Sequence, residues 1–205
     1  MFRPPPLTPE QIKAQYRKSA DFCRTPKFVA IISKEIWRGS YFSRTGWCAH
    51  ALVEEATPLW LGENFRKALL SSEYFNKPGA KELGLENIIP MEKASNTRRL
   101  AFFEEMRQAY GFKTIDTMWR KDDIVASDWH YRIDDFMTLY ASRRAGGGGH
   151  VGWPRVKFPQ KFLDVPLSVS DEELGQALLK IMDQCEGYNV KRPVSERPAS
   201  KKPKG

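Results

Sequence analysis

The feature of this sequence that most constrains its fold is a strand, a helix cap and a helix in direct succession over residues 162–185. Residues 162–169 alternate apolar and polar side chains, which predicts a strand. Ser170 is followed three residues later by Glu173, and this spacing is the capping-box signature of a helix start. The helix predicted over residues 171–185 carries an apolar stripe at spacings of three and four. The succession therefore predicts a helix packed on a sheet.

Two predicted helices each contain a glycine near their start, where glycine costs about 1 kcal/mol relative to alanine. Gly175 lies in the last helix, and close packing of its turn against the sheet would account for it. The earlier helix, over residues 57–72, opens with Thr57 and Pro58 and carries Gly62 before a similar apolar stripe. The two helices could pack in similar ways on one sheet face. The match could equally be a coincidence between two amphipathic helices.

The remaining predicted elements group strands together and do not alternate them strictly with helices. A helix over residues 8–23 is expected to end before the Thr25–Pro26 pair. Strands are predicted over residues 27–33, 46–54, 112–118, 124–131 and 136–142. A further helix is predicted to begin at Ser95 or Asn96 and to end at Gly111. A turn is predicted over residues 39–45, and loops over residues 74–95, 146–149 and 153–160. The first two strands are expected to pair as a hairpin with a long loop. This order predicts an α+β fold, with a mostly antiparallel sheet covered by helices on at least one face.

The length of 205 residues favours a single domain with terminal segments. Residues 1–25 are predicted as a proline-rich lead and helix, residues 26–187 as the α+β domain, and residues 188–205 as a disordered, flexible basic tail. The tail holds six basic residues and one acid, so it accounts for five of the eight net positive charges. A nucleic-acid-binding protein needs its basic residues on a folded surface, which weakens that interpretation here.

The sequence carries no signal for a membrane or for secretion. Its longest apolar runs fall far short of the ~20 residues that span a bilayer, and its N-terminus has no apolar h-region. The three cysteines, Cys23, Cys48 and Cys185, form no CxxC pair, which argues against a disulfide scaffold or a cysteine-based zinc site. We therefore expect a soluble cytoplasmic protein in a reducing compartment, with its oligomeric state left open.

Motifs of common catalytic sites are absent from the sequence. The glycines of residues 146–149 lack the Lys–Ser/Thr ending of a phosphate-binding loop, so a flexible loop is expected there. His50, His130 and His150 do not have the spacing of metal ligands. No Gly-x-Ser-x-Gly elbow is present. The sequence predicts a binding protein and not an enzyme, with no cofactor and no bound metal.

Six aspartates crowd residues 116–135, where only three basic residues accompany them and aromatic side chains are interleaved. Three interpretations stay open: a solvated pair of edge strands, an interface for a basic partner, or a Mg²⁺ site for phosphoryl chemistry. A metal-dependent nuclease would lose activity on Asp122→Ala or Asp128→Ala. The residues predicted to contact a partner are Trp119, Asp122, Asp123, Asp128, Trp129, Tyr131, Asp134 and Asp135.

Three segments, residues 61–72, 103–118 and 165–185, together resemble a known family in their order and spacing. The layout over residues 28–187 is similar to the immunity proteins of bacterial contact-dependent growth inhibition (CDI) systems, a family first catalogued as a domain of unknown function. The resemblance implies a small cytosolic protein that binds and blocks the toxin domain of a neighbouring or sibling cell, often a nuclease. It transfers no binding residue. The N-terminal helix, the basic tail and residues 143–161 depart from the family pattern.

The chain is therefore predicted to neutralise a cognate toxin C-terminal domain by covering its active site, with the acidic and aromatic stretch as the contact. The net charge of +8 fits this poorly, because an inhibitor of a basic nuclease is expected to be acidic overall. The alternative is a nucleic-acid-binding module that uses the basic tail and the sheet surface. Such a module would bind less tightly as salt rises and on deletion of residues 188–205.

Overall fold

The computed structural model describes residues 17–37, 39–74, 89–131, 133–145 and 149–187. The strands are β1 (Arg17–Lys18), β2 (Ala20–Arg24), β3 (Phe28–Trp37), β4 (Gly39–Phe42), β5 (Cys48–Leu52), β6 (Glu73–Tyr74), β7 (Asp123–His130), β8 (Phe136–Ala141), β9 (Arg143–Arg144), β10 (His150–Val151) and β11 (Phe162–Pro166). The helices are α1 (Pro58–Leu70), α2 (Ile89–Ala109), α3 (Ile115–Met118) and α4 (Asp171–Met182), with a 3₁₀ turn at Pro159–Lys161. One large sheet with helices confirms the predicted α+β class.

The main sheet has the strand order β11-β8-β7-β2-β3-β4, with β1 beside β7 and with β5 and β6 beside β3. The first half of β3 pairs with β5 and its second half with β4, so this one long strand organises that end of the sheet. Among the described strands of this sheet, only β6 runs parallel to its neighbour. The small hairpin β9–β10 forms a separate two-stranded sheet. The prediction of a mostly antiparallel sheet is confirmed.

The sheet has a hydrophobic core on each face, because successive side chains of a strand point to opposite sides. On the first face, Phe22 and Ile31 pack with the apolar stripes of α1 and α4. On the second face, Cys23 and Ile32 pack with residues of α2 and α3. Helices therefore cover parts of both faces of the sheet.

Helices α1 and α4 approach each other at two glycines on the first face. A Cβ atom on Gly62 would lie 1.7 Å from the carbonyl oxygen of Asp171, and one on Gly175 would lie 1.8 Å from the carbonyl oxygen of Pro58. Each glycine thus receives the first turn of the other helix. The expectation that Gly175 packs closely against the sheet is wrong, because its close neighbour is a helix. Arg66 of α1 fastens the same contact by donating from Nε to Asp171 Oδ1 at 2.5 Å.

The predicted signals for the starts of α4 and α1 and for the end of α2 are confirmed. The Ser170 hydroxyl accepts a hydrogen bond from the Glu173 amide at 3.2 Å, and the Ser170 amide donates to Glu173 Oε2 at 2.8 Å. Thr57 caps α1 by accepting from the Trp60 amide at 3.2 Å. Gly111, with a positive φ of 67°, follows the end of α2, where a residue without a Cβ adopts this conformation at little cost.

The predicted helix over residues 8–23 is wrong where the structure describes it. Residues 17–18 and 20–24 form β1 and β2, and residues 8–16 lie outside the described ranges. The spacing of Ala20 and Cys23 suits a helix, but Ala20 and Phe22 also alternate with polar neighbours. Pairing of β2 with both β3 and β7 decides the conformation, since it satisfies the backbone on both sides.

Three further boundaries need correction. The predicted strand over residues 112–118 is wrong, because Thr114 caps the single-turn helix α3 and Thr117 completes a capping box with it. The predicted turn over residues 39–45 contains β4, inside the loop of the confirmed β3–β5 pairing. Helix α2 starts at Ile89 and not near Ser95, with Pro90 in a first turn that needs no amide donor. Residues 75–88, 146–148 and 188–205, predicted as loops and tail, lie outside the described ranges.

Candidate interface and cleft

The predicted partner-binding stretch begins at the end of α3 and runs through β7 into the turn before β8. Side chains of β7 alternate in burial: Val125 and Trp129 are buried on the first face. Ile124 packs with the core of the second face, and the pleat places Asp128 on that side as well. A single strand cannot present neighbouring residues on one surface. The structure therefore divides the eight predicted residues among several environments.

Asp122 is a buried ionic centre, with 5% of its surface exposed. Its Oδ1 lies 3.1 Å from Arg144 Nη1 and 3.2 Å from His150 Nε2, although neither contact has hydrogen-bond geometry. Arg144 also donates to the carbonyl oxygens of Trp119, at 2.7 Å, and Arg120. The Asp122–Arg144 pair thus holds the β9–β10 hairpin against the turn after α3.

Sequence reasoning missed Arg144 and His150 as partners of Asp122. A buried carboxylate requires a cation, so the need for a partner follows from burial. The sequence offers 33 lysines and arginines, and nothing in their spacing identifies Arg144. Both partners lie on the β9–β10 hairpin, more than twenty residues after Asp122 in the chain.

The predicted aromatic residues pack into the structure more than they face solvent. Trp119 lies edge-on to Phe28 at 5.6 Å and 4.8 Å from the ring of Phe103, in the core of the second face. Trp129 is 7% exposed and donates from its indole N–H to a backbone carbonyl oxygen at 3.0 Å. Tyr131 meets the Trp129 ring edge-on at 5.1 Å. Trp129 thus has little surface left for a partner.

Three of the predicted carboxylates lie around one end of β7, and we call Asp128, Asp134 and Asp135 the acidic end. Asp128 Oδ2 lies 3.7 Å from Arg17 Nη1, with both side chains partly exposed. Asp134 Oδ2 lies 2.9 Å from His130 Nδ1. Asp135 is exposed. Solvent therefore reaches all three carboxylates of the acidic end.

Asp123 lies apart from the acidic end. It begins β7, five residues before Asp128, which corresponds to about 17 Å along a strand. Burial raises the pKa of the Asp123 carboxyl, and the charge of Arg24 opposes part of this shift. The acids of the stretch therefore do not form one cluster.

A cleft of about 890 Å³ opens on the second face beside the stretch. The aliphatic side chains of Ile32 and Ile124 line it, together with residues of α2 on one side and Trp119 on another. Asp21 and Lys34 also line the cleft and form an ion pair of 3.0 Å, with 16% of each side chain exposed. The cleft thus combines apolar surface with charges that are already paired.

The described residues show neither a metal-binding cluster nor a membrane-spanning helix. No three His, Cys, Asp or Glu side chains there come together in a way that could hold a metal ion. Asp122 and Asp128, the carboxylates of the metal-dependent interpretation, instead contact Arg144 and Arg17. No described helix is both long enough and apolar enough to cross a bilayer.

Comparison with known proteins gives one family and two similar folds. The family model "CDI immunity protein" (CdiI) matches residues 18–185. A protein of unknown function from Neisseria meningitidis has a similar structure, with a TM-score of 0.66 and 13% identity over 84% of this chain and 97% of that one. A chain of the CdiA-CT/CdiI toxin and immunity complex from Yersinia pseudotuberculosis has a TM-score of 0.64 and 14% identity, over 83% and 98% of the two chains. Among curated proteins, no match to this sequence was found.

The family match covers all of the described structure except its outermost residues. It begins at Lys18, so it includes β2, which the sequence resemblance over residues 28–187 left out. The two similar structures share little sequence with this chain and show the fold alone. The extent of the family match decides the assignment: the chain belongs to the CDI immunity protein family.

Proposed function

We propose that this chain neutralises a cognate CDI toxin domain by binding it, that the toxin is a nuclease, and that the bound chain covers its active site. The observation that carries the proposal is the family match over residues 18–185. The similarly folded Yersinia chain comes from a complex of toxin and immunity protein, which supports binding as the mode of action. The chain acts as a stoichiometric inhibitor and not as an enzyme.

The acidic end of β7 is the proposed contact. Its carboxylates are accessible, and the Asp128–Arg17 contact of 3.7 Å is a partly exposed ion pair. Pairs of this kind contribute at most about 1 kcal/mol, so Asp128 can exchange its partner at small cost. A nuclease carries cations where it holds phosphates, and carboxylates compete for those cations. Trp129, which is buried, supports this surface from within by donating to the carbonyl oxygen of Asp134.

The proposed place of action is the bacterial cytosol. Cys23, Cys48 and Cys185 are free thiols in the structure, which is compatible with a reducing compartment. Burial raises the pKa of all three thiols, to about 11 for Cys185, so they persist as thiols at neutral pH.

The test uses the toxin domain encoded immediately upstream, purified with and without this chain. Isothermal titration calorimetry measures the affinity for the wild type and for the variant Asp128→Ala/Asp135→Ala. A matched control, Glu54→Ala/Glu172→Ala, removes the same charge at exposed positions outside the stretch. We expect at least about tenfold weaker binding for the first variant and no change for the control.

A different experimental result would refute each part of the proposal. No complex with the neighbouring toxin, and no protection of cells that express it, would refute neutralisation. Equal affinities of the three proteins would refute the acidic end as the contact. A toxin that cleaves no nucleic acid would refute the nuclease assignment, and a ternary complex that includes its substrate would refute coverage of the active site. Tight, salt-dependent binding of nucleic acid by this chain alone would favour a nucleic-acid-binding module.

A further inference from the structure

The cleft of the second face has the dimensions of a small-molecule site. Its volume of about 890 Å³ lies within the range of roughly 300–1,000 Å³ typical of ligand pockets. Such sites combine apolar walls with a few polar groups that orient the ligand. The distribution of charge and aromatic surface around this cleft specifies what kind of molecule it suits.

One wall of the cleft is a stripe along α2, formed by Lys93, Asn96, Arg99 and Phe103. These residues are spaced by three or four, so they share one side of the helix. Lys93 and Arg99 are exposed, and neither forms an ion pair with a carboxylate of the described residues. Arg99 donates to Asn96 Oδ1 at 2.7 Å and lies 5.7 Å from the centre of the Phe103 ring. The stripe therefore presents two cations next to an aromatic ring.

The carboxylates that line the cleft do not balance these cations. Asp21 is paired with Lys34 at 3.0 Å, and Asp122 lies 3.1 Å from Arg144. Both acids are thus neutralised by partners of their own. The charge left over at the cleft is positive and lies on the α2 side, where it favours an anionic group.

The apolar part of the cleft is largely aromatic. The rings of Phe103 and Trp119 lie 4.8 Å apart at an angle of 55°, and Ile32, Phe42 and Ile124 extend this surface. Aromatic side chains of this kind stack with planar rings such as nucleobases. A ligand that suits both parts of the cleft has a planar ring at one end and an anion at the other.

We propose that this cleft binds a small phosphorylated aromatic molecule of the mononucleotide class. The phosphate lies at Lys93 and Arg99, and the ring packs against Phe103 and Trp119. This site is separate from the acidic end of β7, because it draws on α2 and on the opposite end of the stretch. Binding of such a ligand is a second activity beyond toxin neutralisation.

The test titrates adenosine monophosphate into the purified full-length chain in phosphate-free buffer, with calorimetry for affinity and NMR shifts for location. We expect binding that weakens with salt, and shifts at Phe103 and Trp119. Adenosine without its phosphate, and the variant Lys93→Ala/Arg99→Ala, should each bind at least about tenfold more weakly. The control Lys157→Ala/Lys180→Ala removes the same charge at exposed positions outside the cleft and should bind normally.

Several outcomes would overturn the proposal. These are no binding at millimolar adenosine monophosphate, equal affinity of the Lys93→Ala/Arg99→Ala variant, or an equal loss in the Lys157→Ala/Lys180→Ala control. Toxin neutralisation is measured in parallel for both variants. If the chain binds no nucleotide and the Lys93→Ala/Arg99→Ala variant loses the toxin, the cleft belongs to the toxin interface. Normal neutralisation together with weakened nucleotide binding supports the proposal and separates the two sites.

Discussion

The two faces of the sheet are covered in different ways. On the first face, α1 and α4 meet backbone to backbone at Gly62 and Gly175, over a core that includes fully buried Leu174 and Leu178. On the second face, α2 and α3 cover the part of the sheet around β3 and leave a cleft beside it. At these two glycines the helix backbones lie too close together to admit a side chain. The contrast is that one face is closed by direct contact between two helices, whereas the other leaves an accessible cleft beside its helices.

The sequences of α4 and α2 explain why the first face is packed more closely than the second. Helix α4 has a continuous apolar stripe, whereas α2 places Lys93, Arg98 and Arg99 among its apolar residues. Arg98 holds α2 in place with polar contacts, donating to the carbonyl oxygens of Ser43 at 2.6 Å and Gly46 at 2.7 Å. Polar anchoring allows a helix to lie over a sheet without closing every gap beneath it.

The largest effect is expected from Gly175→Ala on the first face. Helix propensity alone predicts about 1 kcal/mol of stabilisation for this substitution. The new Cβ would lie 1.8 Å from the Pro58 carbonyl oxygen, so the helices must separate. We expect the free energy of unfolding to fall by more than about 3 kcal/mol, measured by urea denaturation.

Gly152→Ala is the control for that measurement, because a Cβ there meets no atom within 4 Å. Its free energy of unfolding should change by less than about 0.5 kcal/mol. If Gly175→Ala were as stable as the wild type, α1 and α4 would not be locked together, and the contrast between the faces would lose its basis.

The first face was also the more predictable one. Its features are local in sequence: the Ser170–Glu173 capping box, the two matching glycines and the apolar stripes. Local sequence patterns predict structure correctly when no long-range contact favours a different conformation. What the sequence could not show is that each glycine faces the first turn of the other helix. That contact joins residues more than a hundred positions apart. The spacing of apolar residues within either helix does not indicate which element the helix will contact.

The second face and the candidate site depended on contacts of long range. Ala20 and Cys23 fit a helical period, yet pairing with strands on both sides makes β2 a strand. The mixture of acids and aromatics around Asp122 and Trp129 predicts surface residues. Both are buried, because Asp122 pairs with Arg144 and Trp129 packs in the core of the first face, and these partners are distant in the sequence. Only the exposed members, such as Asp135, lie where composition suggested.

An intermediate effect is expected at the edge of the cleft. Asp122→Asn leaves the Arg144 guanidinium, 9% exposed, without its anion. Loss of one partner of a buried ion pair is strongly destabilising, although Arg144 keeps its bonds to two carbonyl oxygens. We expect a loss of about 2 kcal/mol in the free energy of unfolding, measured by urea denaturation.

Lys34→Met makes the matching change at the other ion pair of the cleft, where Asp21 is less buried than Asp122. A smaller loss of about 1 kcal/mol is expected. Equal stability of Asp122→Asn and the wild type would show that Asp122 does not hold the hairpin.

The smallest expected effect is a pH dependence that differs between the two capping boxes, one in α4 on the first face and one in α3 on the second face. In α4 the box contains a carboxylate, and the hydroxyl and amide of Ser170 lower the pKa of Glu173. Because the pKa of Glu173 is lower in the folded state, its ionised carboxylate stabilises the fold at pH values above the ordinary pKa of 4.5. This stabilisation is lost as the pH falls through the lowered folded-state pKa. In α3 the box joins Thr114 and Thr117, which do not titrate.

Ser170→Ala should therefore cost about 1 kcal/mol at neutral pH and less in acid, whereas the cost of Thr114→Ala should not change with pH. Urea denaturation at pH 7 and again below pH 4 measures both. A cost of Ser170→Ala that is the same at both pH values would show that Glu173 adds nothing to its cap. The two faces would then differ in packing but not in the electrostatics of their helix starts.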